Sequence, residues 1–261
     1  MNAYVPEEDI LSKEPMWKHT TFRVGGEADC FVRISSPSQL AGLIPRLKEN
    51  GIPWFIMGNG SNLLVGDKGF RGVILQIGSK MGALSKEGSR IRAGAGALLS
   101  ATAKYAMEQG LAGLEFASGI PGTVGGGVMM NAGAYGGEMK QVIRSVTVLD
   151  ENGRVYELDS DAMEFGYRTS VIKRRRLIVL EAVMALEAGD KEEIRAKMEE
   201  LAVRRKEKQP LEFASAGSTF KRPEGYFAGK LIMEAGLRGY GVGGARVSEK
   251  HCGFVINAGE A

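Results

Sequence analysis

The chain has 261 residues, of which 44% are hydrophobic and 25% are charged, and its net charge is +3 from 34 basic and 31 acidic side chains. This composition is ordinary for a soluble globular protein, and the charge is too balanced to indicate binding to nucleic acid. Glycine is the exception, with 37 residues, which is roughly double its usual share of about 7%. Because the glycines cluster, we expect several tight turns or close approaches of the backbone to a ligand.

Two cysteines and two histidines limit the metal and disulfide chemistry of the chain. Cys30 and Cys252 form no C-x-x-C motif, and His19 and His251 are too few for a multi-histidine site, so we expect neither a metal nor a disulfide framework. The N-terminus lacks the apolar segment of a signal peptide, and no uncharged apolar run approaches the length of a membrane span. We therefore expect a cytoplasmic protein that does not enter a membrane.

The first part of the chain alternates short strands, helices and glycine turns. Residues 31–34 and 53–57 predict strands. Between them, Ser36 is placed to cap a helix with Pro37 at its first position, although Pro45 inside the segment argues against the helix or predicts a kink. Further strands are predicted in "GVILQIG" and "RIRAGAG", and a helix is predicted in "ALLSATAKYAMEQG".

The second part continues the mixture. The segment "RSVTVLDENGRVYELD" predicts a hairpin, and Asn152-Gly153 favours a type I′ turn. We expect a strand at 177–186, a helix at 190–208 that begins at Asp190, a short helix at 228–235 and a strand at 252–257. Mixed elements throughout indicate the α+β class, with a boundary near residue 209 and a softer one near residue 70.

Two glycine turns resemble nucleotide-binding loops without matching one. "GNGSN" follows a strand and can direct backbone amides at a phosphate, but it lacks the G-K-[ST] ending of a P-loop, and an ordinary turn explains it equally well. "GAGALLSATAKYA" has the order of a Rossmann loop, but Leu99 stands where the third glycine belongs. The sequence therefore disfavours both a nucleoside triphosphatase and a Rossmann dehydrogenase.

The stretch "SGIPGTVGGGVMMNAGAYGGE" at residues 118–138 is the most informative. Gly119, Gly122 and Gly125 are spaced by three, which suits neither loop type, and apolar side chains stand between the glycines. Backbone amides could reach a polar group while Ile120 and Val124 line something flat and apolar. Flavin adenine dinucleotide has both a pyrophosphate and an aromatic ring system, so it satisfies both demands.

Four motifs in order give a specific resemblance. "GNGSNLLV", the stretch at 118–138, "GYRTS" and "AGSTFKRP" together resemble the UDP-N-acetylenolpyruvoylglucosamine reductases of peptidoglycan precursor synthesis, in the shorter of the two subtypes. The resemblance runs from about residue 17 onward. It implies an α+β protein whose vanillyl-alcohol-oxidase-type FAD-binding fold has two subdomains, 1–70 and 71–209, followed by a C-terminal α+β substrate domain at 210–261.

The same resemblance implies a non-covalent FAD, with NADPH as the hydride-donating co-substrate and a UDP-sugar as the substrate. The family's motifs assign to FAD the residues Gly58, Asn59, Gly60, Ser61, Asn62, Gly119, Ile120, Pro121, Gly122, Thr123, Gly125, Gly126, Ala132, Gly133 and Tyr135. His19 and Cys30 lie outside the glycine loops, so covalent attachment of the flavin is not expected. We expect a monomer.

The resemblance also implies two catalytic residues. Arg168 in "GYRTS" matches the arginine that stabilises the enolate left after hydride transfer, a task that suits the fork of donors on a guanidinium. Ser218 in "AGSTFKRP" matches the proton donor, because a strong base such as an enolate can take a proton from a weak acid that is well placed. Tyr167, Lys221, Arg222 and Lys230 are the candidates for binding substrate, the basic three at the diphosphate.

One departure from the family concerns a third catalytic group, a glutamate that lies beyond a further helix. The sequence stops at "INAGEA", and Glu260 belongs to the motif that precedes that helix, so the role is not transferred to it. From this we expect a form that binds FAD with much reduced activity. Two alternatives follow: another FAD oxidoreductase of the same fold, such as a sugar or alcohol oxidase, or a non-catalytic binder of flavin or nucleotide sugar.

Overall fold

The computed structural model describes Met1 and residues 3–261. Its helices are α1 (Pro37–Glu49), α2 (Leu99–Glu108), α3 (Val124–Met129), α4 (Val171–Arg174), α5 (Lys191–Lys208) and α6 (Ala228–Glu234). Its strands are β1 (Ile10–Pro15), β2 (Glu27–Ile34), β3 (Trp54–Met57), β4 (Phe70–Ile77), β5 (Leu84–Glu87), β6 (Arg90–Gly94), β7 (Leu111–Ala112), β8 (Gly133–Ala134), β9 (Gly137–Glu138), β10 (Ile143–Leu149), β11 (Val155–Asp159), β12 (Ile178–Ala185), β13 (Glu187–Ala188), β14 (Ala214–Ser218), β15 (Gly241–Val242), β16 (Ala245–Val247) and β17 (Phe254–Asn257).

The helix predicted after Ser36 forms as expected. The Ser36 hydroxyl accepts the Gln39 N–H at 3.4 Å, which satisfies one of the amides that a helix leaves unpaired at its start. Pro37 takes the first helical position, and Pro45 is accommodated inside the helix. The helix forms because its apolar face, Leu40, Leu43, Ile44 and Leu47, is buried.

Three sheets of four or five strands organise the chain. One has the strand order β1-β2-β4-β3, and its β3 and β4 run parallel. The second has the order β11-β10-β12-β6-β5, with antiparallel neighbours throughout. The third, β14-β17-β16-β15, is built from the last fifty residues. The ends of β3, β4 and β6 lead directly into glycine turns, which places those turns at the edges of the first two sheets.

The predicted hairpin forms between β10 and β11, but its turn is not type I′. The strands pair from Ser145 with Asp159 to Leu149 with Val155. Only Gly153 has a positive φ in the turn, at +81°, whereas type I′ needs a second one at Asn152. The Asp150 carboxylate accepts the N–H groups of Asn152 and Arg154 at 2.8 and 2.9 Å, and this side-chain contact favours the wider turn.

The described chain divides into two compact units. The larger unit comprises Met1–Lys13, Asp29–Asn59 and Arg71–Ala202, and the smaller unit comprises Glu14–Ala28, Gly60–Phe70 and Val203–Ala261. In the larger unit, α3 packs against β12 and the side chains of one hydrophobic cluster fill the interior. The domain boundaries predicted near residues 70 and 209 stay a prediction.

Candidate active site

A cavity in the larger unit brings together residues from five parts of the chain. Its volume is about 320 Å³, within the range of small-molecule sites. The cavity is lined by Arg33, Ile34, Gly58, Asn59, Gln76, Gly78, Ser79, Lys80, Gly96, Leu98 and Thr123. Gly58, Asn59 and Thr123 are residues that the sequence assigns to FAD, and the structure places them on one surface.

Glycine lets these turns approach one another. A Cβ on Gly58 would lie 2.3 Å from Oγ1 of Thr123, and a Cβ on Gly96 would lie 1.8 Å from the Gly78 carbonyl oxygen. The Asn59 side chain joins the Gly58 turn to the segment that precedes Thr123, since its Nδ2 donates to the Pro121 carbonyl at 3.1 Å. The resulting wall combines backbone, amide and hydroxyl groups with the apolar side chains of the lining, and this chemistry fits the sugar, base and phosphates of a dinucleotide.

The glycines that follow Thr123 serve the fold through their amides. The Gly125 N–H donates to the Ala95 carbonyl at 2.9 Å, and the Gly126 N–H donates to Oγ1 of Thr123, which caps α3, at 3.4 Å. A Cβ on Gly125 would lie 3.1 Å from that of Ala95. These two amides are therefore engaged within the protein, so any contact of Gly125 or Gly126 with a cofactor would use other atoms.

The remaining FAD candidates lie outside the cavity lining. Gly119, Ile120, Pro121 and Gly122 lead into Thr123, and the Gly122 carbonyl accepts the Leu99 N–H at 2.9 Å. Ala132, Gly133 and Tyr135 follow α3, and Gly133 pairs with Glu138 across β8 and β9. Gly60, Ser61 and Asn62 belong to the smaller unit, where the Gly60 carbonyl accepts the Thr21 N–H. Their role at FAD stays a prediction.

Arg168 lies at the tip of a tight turn in the larger unit. Gly166 and Thr169 exchange backbone hydrogen bonds of 3.0 and 3.3 Å, which leaves Tyr167 and Arg168 between them, and Arg168 has a φ of +56°. This left-handed conformation is costly for a residue with a Cβ, and such strain is typical of functional sites. The guanidinium donates to the Gly133 carbonyl at 3.1 Å and lies over the Tyr167 ring.

Asn131 holds the loops around Arg168 together. Its side chain is buried, and its Nδ2 donates to Glu138 at 2.9 Å and to the Gly166 carbonyl at 3.2 Å. Its Oδ1 accepts the Lys140 N–H at 2.9 Å. Asn131 thus connects the segment after α3 to the turn that carries Arg168.

Ser218 lies in the smaller unit at the end of β14, where it pairs with Phe254 of β17. Its hydroxyl donates to the Gly253 carbonyl at 3.5 Å. The Gly253 N–H donates to Nδ1 of His251 at 3.0 Å, so the neutral imidazole carries its proton on Nε2. A Cβ on Gly253 would lie 2.8 Å from the His251 ring and 3.3 Å from the Ser218 hydroxyl, so glycine is required for this arrangement.

The substrate candidates of the smaller unit are exposed. Arg222 lies 3.9 Å from the centroid of the Phe227 ring and donates to the Tyr226 carbonyl at 3.2 Å. Lys230 pairs with Glu234 one turn later on α6 at 3.6 Å. Lys221 precedes Arg222 in the same exposed segment. Tyr167, the fourth candidate, is in the larger unit and is 55% exposed.

Several lining residues and positioning residues were not predicted from the sequence. Gly96 and Leu98 belong to the turn that resembles a Rossmann loop, and that turn contributes to the cavity even though its third glycine is missing. Arg33, Gln76 and Lys80 lie in or next to strands without a motif, so no local signal marks them. The buried position of Asn131 is visible only in the fold.

The described residues hold neither a disulfide nor a cluster of metal ligands. Cys30 and Cys252 are free thiols. The described residues include no group of three or more His, Cys, Asp or Glu side chains able to hold a metal ion. They also include no helix with the length and apolar character that crossing a membrane requires.

The architecture matches those of known protein families. Residues 28–159 match the FAD binding domain family, and residues 209–261 match the C-terminal domain of UDP-N-acetylenolpyruvoylglucosamine reductase. Among solved structures, p-cresol methylhydroxylase is 19% identical with a TM-score of 0.53 and covers 72% of this chain and 42% of its own. That likeness concerns the fold, and with the FAD-domain match it confirms the α+β, FAD-binding fold class expected from the sequence.

Two nearer relatives carry one name. A Clostridioides difficile protein called UDP-N-acetylenolpyruvoylglucosamine reductase is 54% identical over 98% of this chain and 84% of its own length. The crystal structure of the reductase of that name from Thermus caldophilus superposes with a TM-score of 0.84 at 36% identity, over 95% of this chain and 88% of the other. The resemblance drawn from the four motifs is thereby confirmed, and the chain belongs to the UDP-N-acetylenolpyruvoylglucosamine reductase family.

Proposed function

We propose that Arg168 stabilises and Ser218 protonates the substrate in the reaction of this family. The chain is an FAD-dependent oxidoreductase that reduces the enolpyruvyl group of UDP-N-acetylglucosamine enolpyruvate to the lactyl ether of UDP-N-acetylmuramate. Gly58, Asn59 and Thr123 would help to hold FAD, and the chemistry that it would supply when bound is hydride transfer from NADPH to the enolpyruvyl carbon. The protein must then stabilise an enolate and supply one proton.

The observation that carries the assignment is the preformed position of Arg168. Its guanidinium is anchored by the carbonyl of Gly133, and none of the described residues supplies a carboxylate partner. An arginine that is held in place without an acidic partner retains donors for a carboxylate ligand, and the planar fork binds both oxygens at once. As charge moves onto the carboxylate during the reaction, such a donor stabilises the transition state more than the ground state.

The surroundings of Ser218 support its proposed role as the proton donor. Its hydroxyl is exposed at the end of β14, and the Gly253 carbonyl fixes the direction of its hydrogen bond. A serine is a weak acid, but the carbon of an enolate is a strong base, so proximity compensates for the poor acidity. His251 holds the Gly253 amide and so positions the carbonyl that Ser218 contacts.

The contacts with the UDP-sugar are assigned by chemistry. Lys221, Arg222 and Lys230 provide positive charge for the diphosphate from one exposed region of the smaller unit. Tyr167 offers a ring and a hydroxyl beside Arg168. We further propose that the protein is a cytoplasmic monomer that does not bind nucleic acid, since its net charge is only +3.

The test separates the two half-reactions. Ser218→Ala should bind FAD and let NADPH bleach the flavin absorbance as in the unsubstituted chain, because the hydroxyl acts after hydride transfer to the substrate. Reoxidation by the enolpyruvyl UDP-sugar should fall by about 10²-fold or more, the usual contribution of a positioned acid. Arg168→Ala should show the same split, since it too acts on the substrate.

The matched control is Ser215→Ala, which changes a serine on the same strand and should leave both half-reactions unaltered. Rapid reoxidation in Ser218→Ala would remove Ser218 from the mechanism, and failure of NADPH to reduce either variant would point to a damaged flavin site instead. Consumption of oxygen with a sugar alcohol, without any need for NADPH, would favour the oxidase alternative.

A further inference from the structure

The cavity of the larger unit has an uneven distribution of charge. Two of its lining residues are cationic, Arg33 and Lys80, and none of the described residues that line it is acidic. A cavity with this lining attracts an anion. The two cations differ, however, in what surrounds them.

Lys80 has its charge neutralised by a buried carboxylate. Its ammonium donates to both oxygens of Asp9, at 3.0 and 2.8 Å, and Asp9 is only 4% exposed. A carboxylate in such a position requires a counter-charge, because an unpaired buried charge strongly destabilises the fold. Lys80 and Asp9 together therefore present no net charge to the cavity.

Arg33 is the uncompensated cation. It lies on β2 with its side chain exposed at the cavity, and among the described residues none forms an ion pair or hydrogen bond with its guanidinium. The neighbouring arginine of the same sheet, Arg71 on β4, pairs with Asp29 at 3.0 Å and does not line the cavity. The positive charge offered to a bound ligand thus comes from Arg33.

The position of the cavity selects the part of the ligand. Thr123 lines it, and the six residues of α3 separate Thr123 from the segment with Gly133, whose carbonyl accepts from Arg168, a rise of about 9 Å at 1.5 Å per residue. Because the proposed role of Arg168 is to hold the carboxylate of the substrate, the end of FAD that would reduce the substrate belongs on that side of α3. The cavity is therefore left for the other half of the cofactor.

We propose that Arg33 binds the adenosine diphosphate half of FAD and makes the chain prefer FAD over FMN. This inference rests on the FAD dependence of the family and adds a residue for which the sequence has no motif. The guanidinium can donate two parallel hydrogen bonds to the oxygens of the adenosine-side phosphate, which FMN lacks, beside the turn of Gly58 and Asn59 that reaches the same cavity.

The test is a titration of the flavin-stripped full chain with FAD and with FMN, followed by flavin fluorescence. Arg33→Met should raise the dissociation constant for FAD by about 10- to 100-fold, as expected for a lost hydrogen bond to a charged group, and should leave that for FMN unchanged. Arg33→Lys should recover part of the loss. The effect should shrink near 1 M salt, where the screening length is about 3 Å.

Arg71→Met is the matched control, because it removes an equal charge from the adjacent strand. Equal FAD affinities of the Arg33 and Arg71 variants would overturn the proposal, and equal losses of FAD and FMN would overturn the placement at the adenosine diphosphate half. A chain that bound no FAD at all would instead contradict the family's cofactor.

Discussion

Replacing Asn131 tests whether the catalytic turn depends on one buried amide. Asn131→Ala removes three hydrogen bonds: the donation to Glu138 at 2.9 Å, the donation to the Gly166 carbonyl at 3.2 Å and the acceptance of the Lys140 N–H at 2.9 Å. The last two are neutral and contribute about 0.5–1.5 kcal/mol each, and the bond to the carboxylate contributes about 1.5–3 kcal/mol. The expected loss of unfolding free energy is about 2.5–6 kcal/mol.

The backbone of Asn131 adds a separate contribution. Its φ is +43°, a left-handed conformation that asparagine tolerates but alanine resists by about 1 kcal/mol. Asn131→Gly removes the same hydrogen bonds without this backbone strain. The glycine variant should therefore be about 1 kcal/mol more stable than the alanine variant.

Urea unfolding of the two variants and the unsubstituted chain provides the measurement, with reoxidation of the reduced flavin by substrate as the second readout. The variants should lose substrate reoxidation more than NADPH reduction, because the turn that they loosen carries Arg168. A loss of less than about 1 kcal/mol in Asn131→Ala would refute the hydrogen-bond reasoning. Equal stabilities of the alanine and glycine variants would refute the backbone term.

Two further predictions concern the cavity and a thiol. A Cβ on Gly78 or on Gly66 would meet no described atom within 4 Å, so Gly78→Ala and its control Gly66→Ala should be equally stable without flavin. Gly78→Ala should nevertheless weaken FAD binding, because its methyl group takes space in the cavity. Unchanged affinity would show that FAD does not reach Gly78. Burial raises the pKa of the Cys30 thiol above its ordinary value, so in a Cys252→Ala background alkylation of the native protein should reach its half-maximal rate at a higher pH than in the unfolded chain. The stability that Cys30 contributes is present below the unfolded pKa and is lost as pH rises through the folded one; a native midpoint at or below the unfolded value would contradict this.

Local signals predicted much of the fold. The helix after Ser36 and the hairpin around Gly153 follow from capping and turn residues, and the structure has both. The turn type was wrong because the choice depends on a side chain outside the central dipeptide: the Asp150 carboxylate holds two amides of the turn. A dipeptide preference cannot include such a contact.

Some residues of the candidate site could be predicted from local motifs, and others only from the fold. Arg168 and Ser218 stand in motifs that can be read directly, and the family they indicate is confirmed. Arg33, Lys80 and Gly96 line one cavity only because β2, β4 and β6 bring distant segments together. No local sequence motif marks these residues as neighbours. Glycine was correctly expected to mark close approaches, but at Gly125 the partner is the protein's own Ala95.

The smaller unit draws its residues from three separated segments, and this has a consequence for synthesis. The Thr21 hydroxyl donates to the Ser215 carbonyl, 194 residues later, and Asn257 donates to the Phe22 carbonyl. At about 5–20 residues per second, roughly 10–40 s separate the emergence of the first partner from that of the second. Over that interval the segment Glu14–Ala28 lacks the C-terminal residues with which it packs. A nascent chain stalled before residue 203 should therefore expose this segment to chaperones and proteases.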